Sequence, residues 1–353
     1  MAHLTENFTA ETELSPTVRQ AIASALEQGW ADPKKQSQAA SRAARLRDSA
    51  IEEISAFLGT SPAKLEILGE PSLVHFLALQ GFSHSKRAIY SSSVDLGKVR
   101  AVARAQSPEI EPLPVDRNGV LLSTPASLPE GSVISLQAAN GETGALQNLD
   151  SWRESDLKVV VDATRAVVDR DLISGFAATT FDALSWNGPS GVALINIEDT
   201  RNYRYPLPHI APIRTPGSYS LPLLVGAAIA LEEFQGAIDH LISLRRIAVN
   251  ALRTISGIEV LAEVSGAHSR YLSIIIEGVS GEEVLRRLMS RDIHIDSGSA
   301  CSPEDLVPSH VIASMGYPTT GHIRLTFHPH HTEESIKRLT QMLSDVLSNL
   351  QLS

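Results

Sequence analysis

Residues 297–302 read SGSACS, and residues 308–325 read PSHVIASMGYPTTGHIRL. The first run contains Cys301, the single cysteine of the sequence, among small residues, and Gly298 can adopt backbone angles that other residues avoid. A loop of this kind can present a thiol to a ligand at close range. Farther along, Arg324 offers a planar guanidinium fork that suits a carboxylate. A thiol followed by a carboxylate-binding arginine indicates chemistry on an amino acid.

A lone cysteine is more often a small buried residue than a reactive thiol, so the residues around it must indicate which of the two it is. That pattern resembles the C-terminal signature of the cysteine desulfurases, in the class V branch of the fold-type I pyridoxal-phosphate enzymes. In that family this loop cysteine attacks the substrate sulfur and becomes a persulfide, and the arginine holds the substrate carboxylate. The resemblance assigns these roles to Cys301 and Arg324, and it extends from Ser15 to Leu347.

The segment 181–192, FDALSWNGPSGV, aligns without a gap on the family's fSaHKiyGPkGv. The family's lysine forms the Schiff base with pyridoxal phosphate and moves the Cα proton, and its position here is Ser185. A hydroxyl cannot form an imine, so the resemblance predicts that covalent cofactor binding is lost. No lysine lies near this segment in sequence. The lysines of the chain are Lys34, Lys35, Lys64, Lys86, Lys98, Lys158 and Lys337.

Other cofactor positions of the family are also changed. The apolar run ending at Asp162 suits a buried parallel strand with a site at its carboxyl end, and the resemblance pairs Asp162 with the pyridinium nitrogen. From the residue alone, a helix cap or structural acid is the commoner outcome. The family's following glutamine is Arg165, and its ring-stacking histidine is Asp95. The family's NNETG turn becomes NGETG, which keeps a substrate-binding Asn140 and replaces the cofactor-binding asparagine by Gly141.

The phosphate side of the cofactor site is altered in the same way. In the family a loop reading TSGGTE binds the phosphate through backbone N–H groups and hydroxyls at a helix start. Residues 68–73 read LGEPSL, in which Pro71 lacks a donor and Glu70 would place negative charge beside a dianion. Ser72 is the remaining candidate for a phosphate contact. An ordinary connection between a strand and a helix is favoured.

The sequence indicates an α/β protein of two unequal parts. Alternating strands and helices predict a large domain of residues 1–235 built on a mainly parallel sheet, whose N-terminal segment contacts a small domain. Residues 236–353 predict that smaller α+β domain, which carries the cysteine loop. The pair Gly217-Ser218 matches a family GT pair whose threonine reaches the phosphate of the partner subunit, and this match indicates a dimer.

Composition narrows the class of protein further. The chain has 353 residues and a formal net charge of -10, which argues against nucleic acid or an anionic membrane as a partner. No apolar run approaches the length of a membrane span, and the N-terminus lacks the apolar core of a signal peptide, so we expect a cytoplasmic protein. One cysteine excludes an intramolecular disulfide.

Four histidines close to the C-terminus raise the question of a metal site. They are His322, His328, His330 and His331. Their spacing is not that of a recognised ligand set, and we predict no metal site. The last three are interpreted as solvated residues of a loop that precedes a helix.

Three hypotheses remain open at this stage. The first is a cysteine desulfurase homologue without normal pyridoxal-phosphate catalysis, a non-catalytic partner that binds a small carboxylate and forms homodimers or heterodimers with an active relative. The second is an active or altered sulfur-transfer enzyme that uses Cys301 as a persulfide carrier. The third is a relic whose cavity is filled by side chains such as Trp186 and Leu184.

Overall fold

A computed structural model describes residues 5–84, 87–153, 155–166, 171–209, 219–262, 268, 270–298 and 308–351. Its strands are β1 (Glu6–Asn7), β2 (Leu65–Leu68), β3 (Ile89–Tyr90), β4 (Val133–Gln137), β5 (Lys158–Asp162), β6 (Ala178–Asp182), β7 (Ala193–Ile197), β8 (Ile258–Val260), β9 (Tyr271–Ile276), β10 (Ile293–His294), β11 (Asp296–Ser297) and β12 (His322–Thr326). Its α-helices are α1 (Pro16–Gln28), α2 (Gln38–Leu58), α3 (Val74–Gln80), α4 (Gly97–Gln106), α5 (Leu221–Gln235), α6 (Ile238–Leu252), α7 (Gly281–Met289), α8 (His310–Ser314) and α9 (Glu333–Gln351).

The larger sheet has six strands in the order β2-β7-β6-β5-β4-β3. Strands β3, β4, β5 and β6 run parallel, whereas β7 and β2 are antiparallel to their neighbours. The interior of β5 is buried on both faces, as its run of three valines predicts for a strand covered on both sides. This mixed, mostly parallel sheet confirms the predicted α/β fold class. Its parallel strands all end at one edge, where side chains from several strands meet.

Local sequence signals set the helix ends. The hydroxyl of Ser15 accepts a hydrogen bond from the N–H of Val18 at 3.1 Å, with Pro16 at the first helical position, so α1 begins there. Gly59 ends α2 at a φ of 70°, a left-handed conformation that favours glycine. Helices α5 and α6 follow one another closely in the chain, with a 60° bend between them.

A second sheet holds β11, β12, β9 and β8 in that order, all antiparallel. The N-terminal strand β1 pairs in parallel with β10, so the start of the chain lies against its C-terminal part. In the part of the chain that the structure describes, no single helix is long and apolar enough to cross a membrane. The division at residue 235 stays a prediction.

Candidate functional site

Asp162 ends β5 at the edge where the parallel strands finish, and its side chain is almost fully buried. One carboxylate oxygen accepts two hydrogen bonds from Thr164, from the backbone N–H at 3.0 Å and from the hydroxyl at 2.6 Å. The other oxygen, Oδ2, lies 3.2 Å from Nε2 of His75 on α3. This is an ion-pair distance, although the angle does not meet that of a hydrogen bond.

The charge state of Asp162 follows from these contacts. Burial alone would raise the pKa of this carboxyl group. The imidazole of His75 and the two donors of Thr164 outweigh burial and lower the pKa to about 2. Asp162 is therefore a carboxylate at neutral pH. The group that lies against it from α3, His75, is a side chain of the same chain.

Asp95 lies beside Asp162 and has the opposite tendency. It is fully buried, and its Oδ2 accepts the N–H of Ser92 at 2.8 Å. Burial raises its pKa well above the usual value, the Ser92 N–H and Arg100 oppose this, and the charge of Asp162 raises it further. Of the two neighbouring carboxyl groups, Asp95 is therefore the one that takes up a proton more readily.

We call His75, Asp95, Gln137 and Asp162 the strand-end cluster. Gln137 and Asp162 are register partners in the parallel pair β4–β5, so both side chains lie on the face that α3 covers. Within the described residues, several buried atoms of the cluster have no hydrogen-bond partner. They are both ring nitrogens of His75, Oδ1 of Asp95, Nε2 of Gln137 and Oδ2 of Asp162. Such atoms are rare in a folded core, and together they form a polar group of side chains at the strand ends.

The turn that starts at Asn140 is fixed by internal hydrogen bonds. The side-chain oxygen of Asn140 accepts the N–H groups of Glu142 and Thr143, both at 3.0 Å, and its amide donates to the carbonyl of Val94 and to Gln137. Substrate binding by Asn140 stays a prediction. Its polar atoms already hold the turn against the loop that carries Asp95.

Gly141 and Arg165 are matched to each other. A Cβ atom at position 141 would lie 2.8 Å from Cγ and 3.0 Å from Cδ of Arg165, which is too close for carbon atoms. The arginine stem therefore occupies the space that an asparagine side chain would need. The two departures from the family pattern, at 141 and at 165, are one coupled change. In the described part of the chain, the half-buried guanidinium of Arg165 makes neither a hydrogen bond nor an ion pair within 4 Å.

Ser185 lies in a short 3₁₀ turn directly after β6. Asp182 caps this turn by accepting the N–H of Leu184 at 3.0 Å, and the Ser185 hydroxyl donates to the carbonyl of Asp182 at 2.8 Å. Burial raises the pKa of Asp182, while the Leu184 N–H and the side chains of Arg165, His75 and Lys98 oppose the rise. The hydroxyl of Ser185 thus stabilises the 3₁₀ turn in which Ser185 lies.

The side chains on either side of Ser185 point to different environments. Trp186 is buried, and its ring N–H donates to the carbonyl of Ala227 on α5 at 3.0 Å. Leu184 is 39% exposed, so the expectation that it fills a vacated cavity is wrong. Trp186 also lines an open pocket of about 640 Å³ between the N-terminal segment and α5, which includes Asn7 and Phe234.

Buried Arg270 fastens this turn to the second sheet. Its guanidinium donates to the carbonyl oxygens of Leu184 at 3.1 Å and Ser185 at 2.6 Å, and to the side chain of Asn187. Burial lowers its pKa, Tyr271 opposes this, and the charge of Arg165 lowers it further. The backbone around Ser185 is thereby held from both parts of the fold.

The loop before α3 carries a negatively charged side chain, the carboxylate of Glu70. The carboxylate of Glu70 accepts the N–H of Ser72 at 3.0 Å, and the hydroxyl and N–H of Ser72, with help from Lys98, lower the pKa of Glu70. A phosphate contact by Ser72 stays a prediction, since its N–H already has a partner. Cys301 and the pair Gly217-Ser218 lie outside the described residues.

Arg324 lies on β12 opposite Ser273 of β9, so their side chains share one face of the sheet. The Ser273 hydroxyl donates to the carbonyl of Glu142 at 2.7 Å and lies 2.8 Å from Nε2 of His322. Since the hydroxyl proton is used on Glu142, Nε2 of His322 must carry the proton of that contact. Burial and the charge of Arg324 lower the pKa of His322 to about 3, so this histidine is neutral.

Two of the histidines after β12 are buried, so interpreting all three as solvated was wrong; only His330 is exposed. Nε2 of His328 lies 2.9 Å from the carbonyl oxygen of Thr9, and Nε2 of His331 lies 2.9 Å from that of Asn7. Their Nδ1 atoms face donors, Arg270 at 3.3 Å and the His328 N–H at 3.1 Å. We call His328 and His331 the histidine cluster. Among the described residues no group of three or more potential ligands is arranged to hold a metal.

Sequence reasoning missed two residues of the site. His75 left one signal, a polar residue within the apolar helix VHFLALQ that follows the altered loop. Lys98 is exposed at the start of α4, and its charge acts on both Glu70 and Asp182. Lys98 and Ser185 are far apart in sequence, and only in the folded chain does the start of α4 lie near the ends of the strands. Sequence distance alone therefore could not place Lys98 near Ser185.

The fold and the carboxylate at the end of β5 define a protein of pyridoxal-phosphate fold-type I architecture. Two solved structures share that fold over 98% of this chain: a NifS-like protein, at a TM-score of 0.83, 21% identity and 100% of its length, and the apo cysteine desulfurase from Thermococcus onnurineus NA1, at 0.80, 16% and 95%.

Sequence comparisons agree with the structural ones. The family model for aminotransferase class V matches residues 216–339. A cysteine desulfurase of Nostoc sp. is 25% identical over 372 residues, covering 97% of this chain and 92% of the relative. The cysteine desulfurase NifS of Azotobacter vinelandii is 28% identical over 266 residues, covering 69% and 65%. The chain is thus similar to the cysteine desulfurases along nearly its whole length, and to the class V aminotransferases over residues 216–339.

Proposed function

We propose that this chain is a desulfurase homologue that does not bind pyridoxal phosphate covalently and acts as a non-catalytic partner with a site for a small carboxylate. The observation that carries the proposal is the 3.2 Å contact between Oδ2 of Asp162 and Nε2 of His75. The family's cofactor needs this oxygen for its pyridinium nitrogen, which tunes the ring as an electron sink. Here a ring nitrogen of the chain lies at ion-pair distance from that oxygen and lowers the pKa of the carboxyl group.

The remaining cofactor positions support the same proposal. Position 185 offers a hydroxyl engaged with the Asp182 carbonyl, and an imine requires an amine. Glu70 already caps the loop where the family binds phosphate, and it would repel a dianion. Asp95 carries a carboxyl group, which has no aromatic face to stack on a pyridine ring. These residues do not fit the family's cofactor, and we derive no step through it.

Partners and compartment follow as parts of the proposal. We propose a cytoplasmic homodimer, or a heterodimer with an active relative, because the pair Gly217-Ser218 matches the family's intersubunit GT pair. Light scattering after size exclusion reports the homodimer as twice the 38.0 kDa chain mass. Mixing with a purified active relative reports the heterodimer.

One observation favours a second candidate, an active or altered sulfur-transfer enzyme. Lys98 lies close enough to Asp182 and Glu70 to act on the pKa of both carboxyl groups, so an amine does reach the neighbourhood of Ser185. Cys301 would then serve as the persulfide carrier and Arg324 as the substrate-carboxylate ligand.

Absorbance of the purified protein separates the two candidates. With added pyridoxal phosphate we expect no imine absorbance band and no cofactor fixed to the chain by borohydride, as for any protein without an active-site amine. A band that borohydride fixes to the protein would overturn the first proposal. Repeating the scan with Lys98→Ala, and with Lys337→Ala as a matched exposed control on α9, then tells whether Lys98 is the amine.

A further inference from the structure

The direction of the Arg165 side chain is set by the backbone beneath it. Its Cγ and Cδ lie 2.8 Å and 3.0 Å from the place where Gly141 would carry a Cβ, so the stem runs directly over the bare glycine backbone. An arginine stem that packs this closely loses much of its rotamer freedom before any ligand arrives. The guanidinium is therefore pre-positioned.

The turn that supports Arg165 is itself rigid. Asn140 fixes it from within through the N–H groups of Glu142 and Thr143. Two serines also hold this turn from the side of the second sheet. Ser273 donates to the Glu142 carbonyl and Ser309 donates to the Glu142 carboxylate, both at 2.7 Å. The platform under Arg165 is thus held by both parts of the fold.

The charge of Arg165 is not neutralised within the described chain. Asp182 is the carboxyl group on which it acts, yet the two are not an ion pair within 4 Å, and Oδ1 of Asp182 already accepts the N–H of Leu184. Arg165 also acts on buried Arg270, which holds the carbonyl of Ser185. Its guanidinium therefore lies at the edge where β5 and β6 end, in front of the turn that contains Ser185.

A second arginine lies on the sheet face that contacts the same turn. Arg324 lies directly opposite Ser273 in the antiparallel pair β9–β12, so its side chain leaves the sheet on the face from which Ser273 reaches Glu142. Gly141, under Arg165, is the residue next to Glu142. Each part of the fold thus contributes one arginine on the side that meets this short turn.

We infer that Arg165 and Arg324 together bind a small dicarboxylate, one carboxylate group on each guanidinium, at the turn of residues 140–144. This inference rests on the proposed function, in which the site holds a carboxylate instead of the cofactor. A planar guanidinium binds a carboxylate through two parallel hydrogen bonds, which gives both affinity and orientation. The change to arginine at position 165 turns a site for one carboxylate into a site for two.

The test is calorimetric titration of the full chain with pairs of equal length: succinate against butyrate, and glutarate against valerate. We expect the better dicarboxylate to bind roughly 10- to 100-fold tighter than its monocarboxylate, as an added charged hydrogen-bond pair provides. Arg165→Gln, which restores the family residue, should lower dicarboxylate affinity to the monocarboxylate level and leave monocarboxylate affinity unchanged. Arg42→Gln, an exposed arginine on α2, is the matched control and should change neither.

Equal binding of both ligand types, or an unchanged dicarboxylate affinity in Arg165→Gln, would overturn the inference. Arg165→Lys keeps the charge and loses the fork, so we expect an intermediate loss; it also covers the case in which Arg165→Gln does not fold. Failure here is distinct from failure of the proposed function. The latter shows itself as an imine band fixed by borohydride, which calorimetry with carboxylates does not report.

Discussion

The strand-end cluster and the histidine cluster both bury histidines, but they satisfy them differently. In the histidine cluster every ring nitrogen of His328 and His331 faces a partner, and all four contacts are consistent with neutral rings protonated on Nε2. In the strand-end cluster both ring nitrogens of His75 lack a hydrogen bond within the described chain. The comparison shows that burial alone does not distinguish a structural histidine from a histidine of a functional site. The hydrogen-bond partners of its ring nitrogens distinguish the two.

Acidification should affect the histidine cluster first and most strongly. Burial lowers the pKa of His328 to about 2 and that of His331 to about 3, both below the unfolded value, as it does for His322. The folded state therefore favours the neutral rings, and this contribution is complete above pH 6.5 and lost as pH falls towards 3. The raised pKa of Asp95 acts in the opposite direction, so the slope is measured in an Asp95→Asn background. There we expect the free energy of unfolding to drop by about 4 to 6 kcal/mol between pH 7 and pH 5.

Urea unfolding at pH 7, 6 and 5 measures this slope. Asp162 contributes nothing to it, because a carboxyl pKa lowered to about 2 changes stability only below about pH 3.8. The histidine cluster and Asp162 of the strand-end cluster therefore affect stability in different pH ranges. A flat stability between pH 7 and pH 5 would show that the histidine cluster is not buried as neutral rings.

Removing His75 should have the next largest effect. His75→Ala leaves the carboxylate of Asp162 buried without its neighbour on α3, and loss of one partner of a buried pair costs about 3 to 5 kcal/mol. The double variant His75→Leu with Asp162→Asn removes the charge as well and should recover most of that loss. Equilibrium denaturation of both variants measures the difference. Equal stability of the two would mean that Asp162 and His75 do not interact.

Asp95→Asn should have the smallest effect on stability, within about 1 kcal/mol, because an amide keeps the shape of a carboxyl group whose charged form burial disfavours. Infrared difference spectra over a pH series give the sharper readout. In the native chain the carbonyl stretch of a protonated carboxyl group should persist to higher pH than for an exposed aspartate, and Asp95→Asn should lose that band. Asp116→Asn, an acid in the turn before Gly119, is the control that should keep the band.

Local patterns in the sequence predicted the fold well. The valine run before Asp162 and the cap at Ser15 depend on neighbours within a few residues, and the structure places a buried strand and a helix start there. The bend between α5 and α6 leaves no such local signal, because apolar residues continue through both helices across the break.

The site was predicted less completely, since its decisive contacts join distant segments. Burial of His328 and His331 depends on carbonyl groups of Thr9 and Asn7, which are more than 300 positions away in the chain. The pairing of His75 with Asp162 likewise requires α3 to lie over the end of β5. Residue type alone cannot reveal either contact.

The packing of Arg165 on Gly141 also sets the order in which the site could be redesigned. A side chain added at 141 would lie 2.8 Å from Cγ of Arg165, so an asparagine there requires the arginine to move or to be replaced. Replacing Arg165 alone meets no such obstacle, because it only opens space above the glycine. Installing the family's pair of residues therefore begins at position 165, and position 141 can be filled only afterwards.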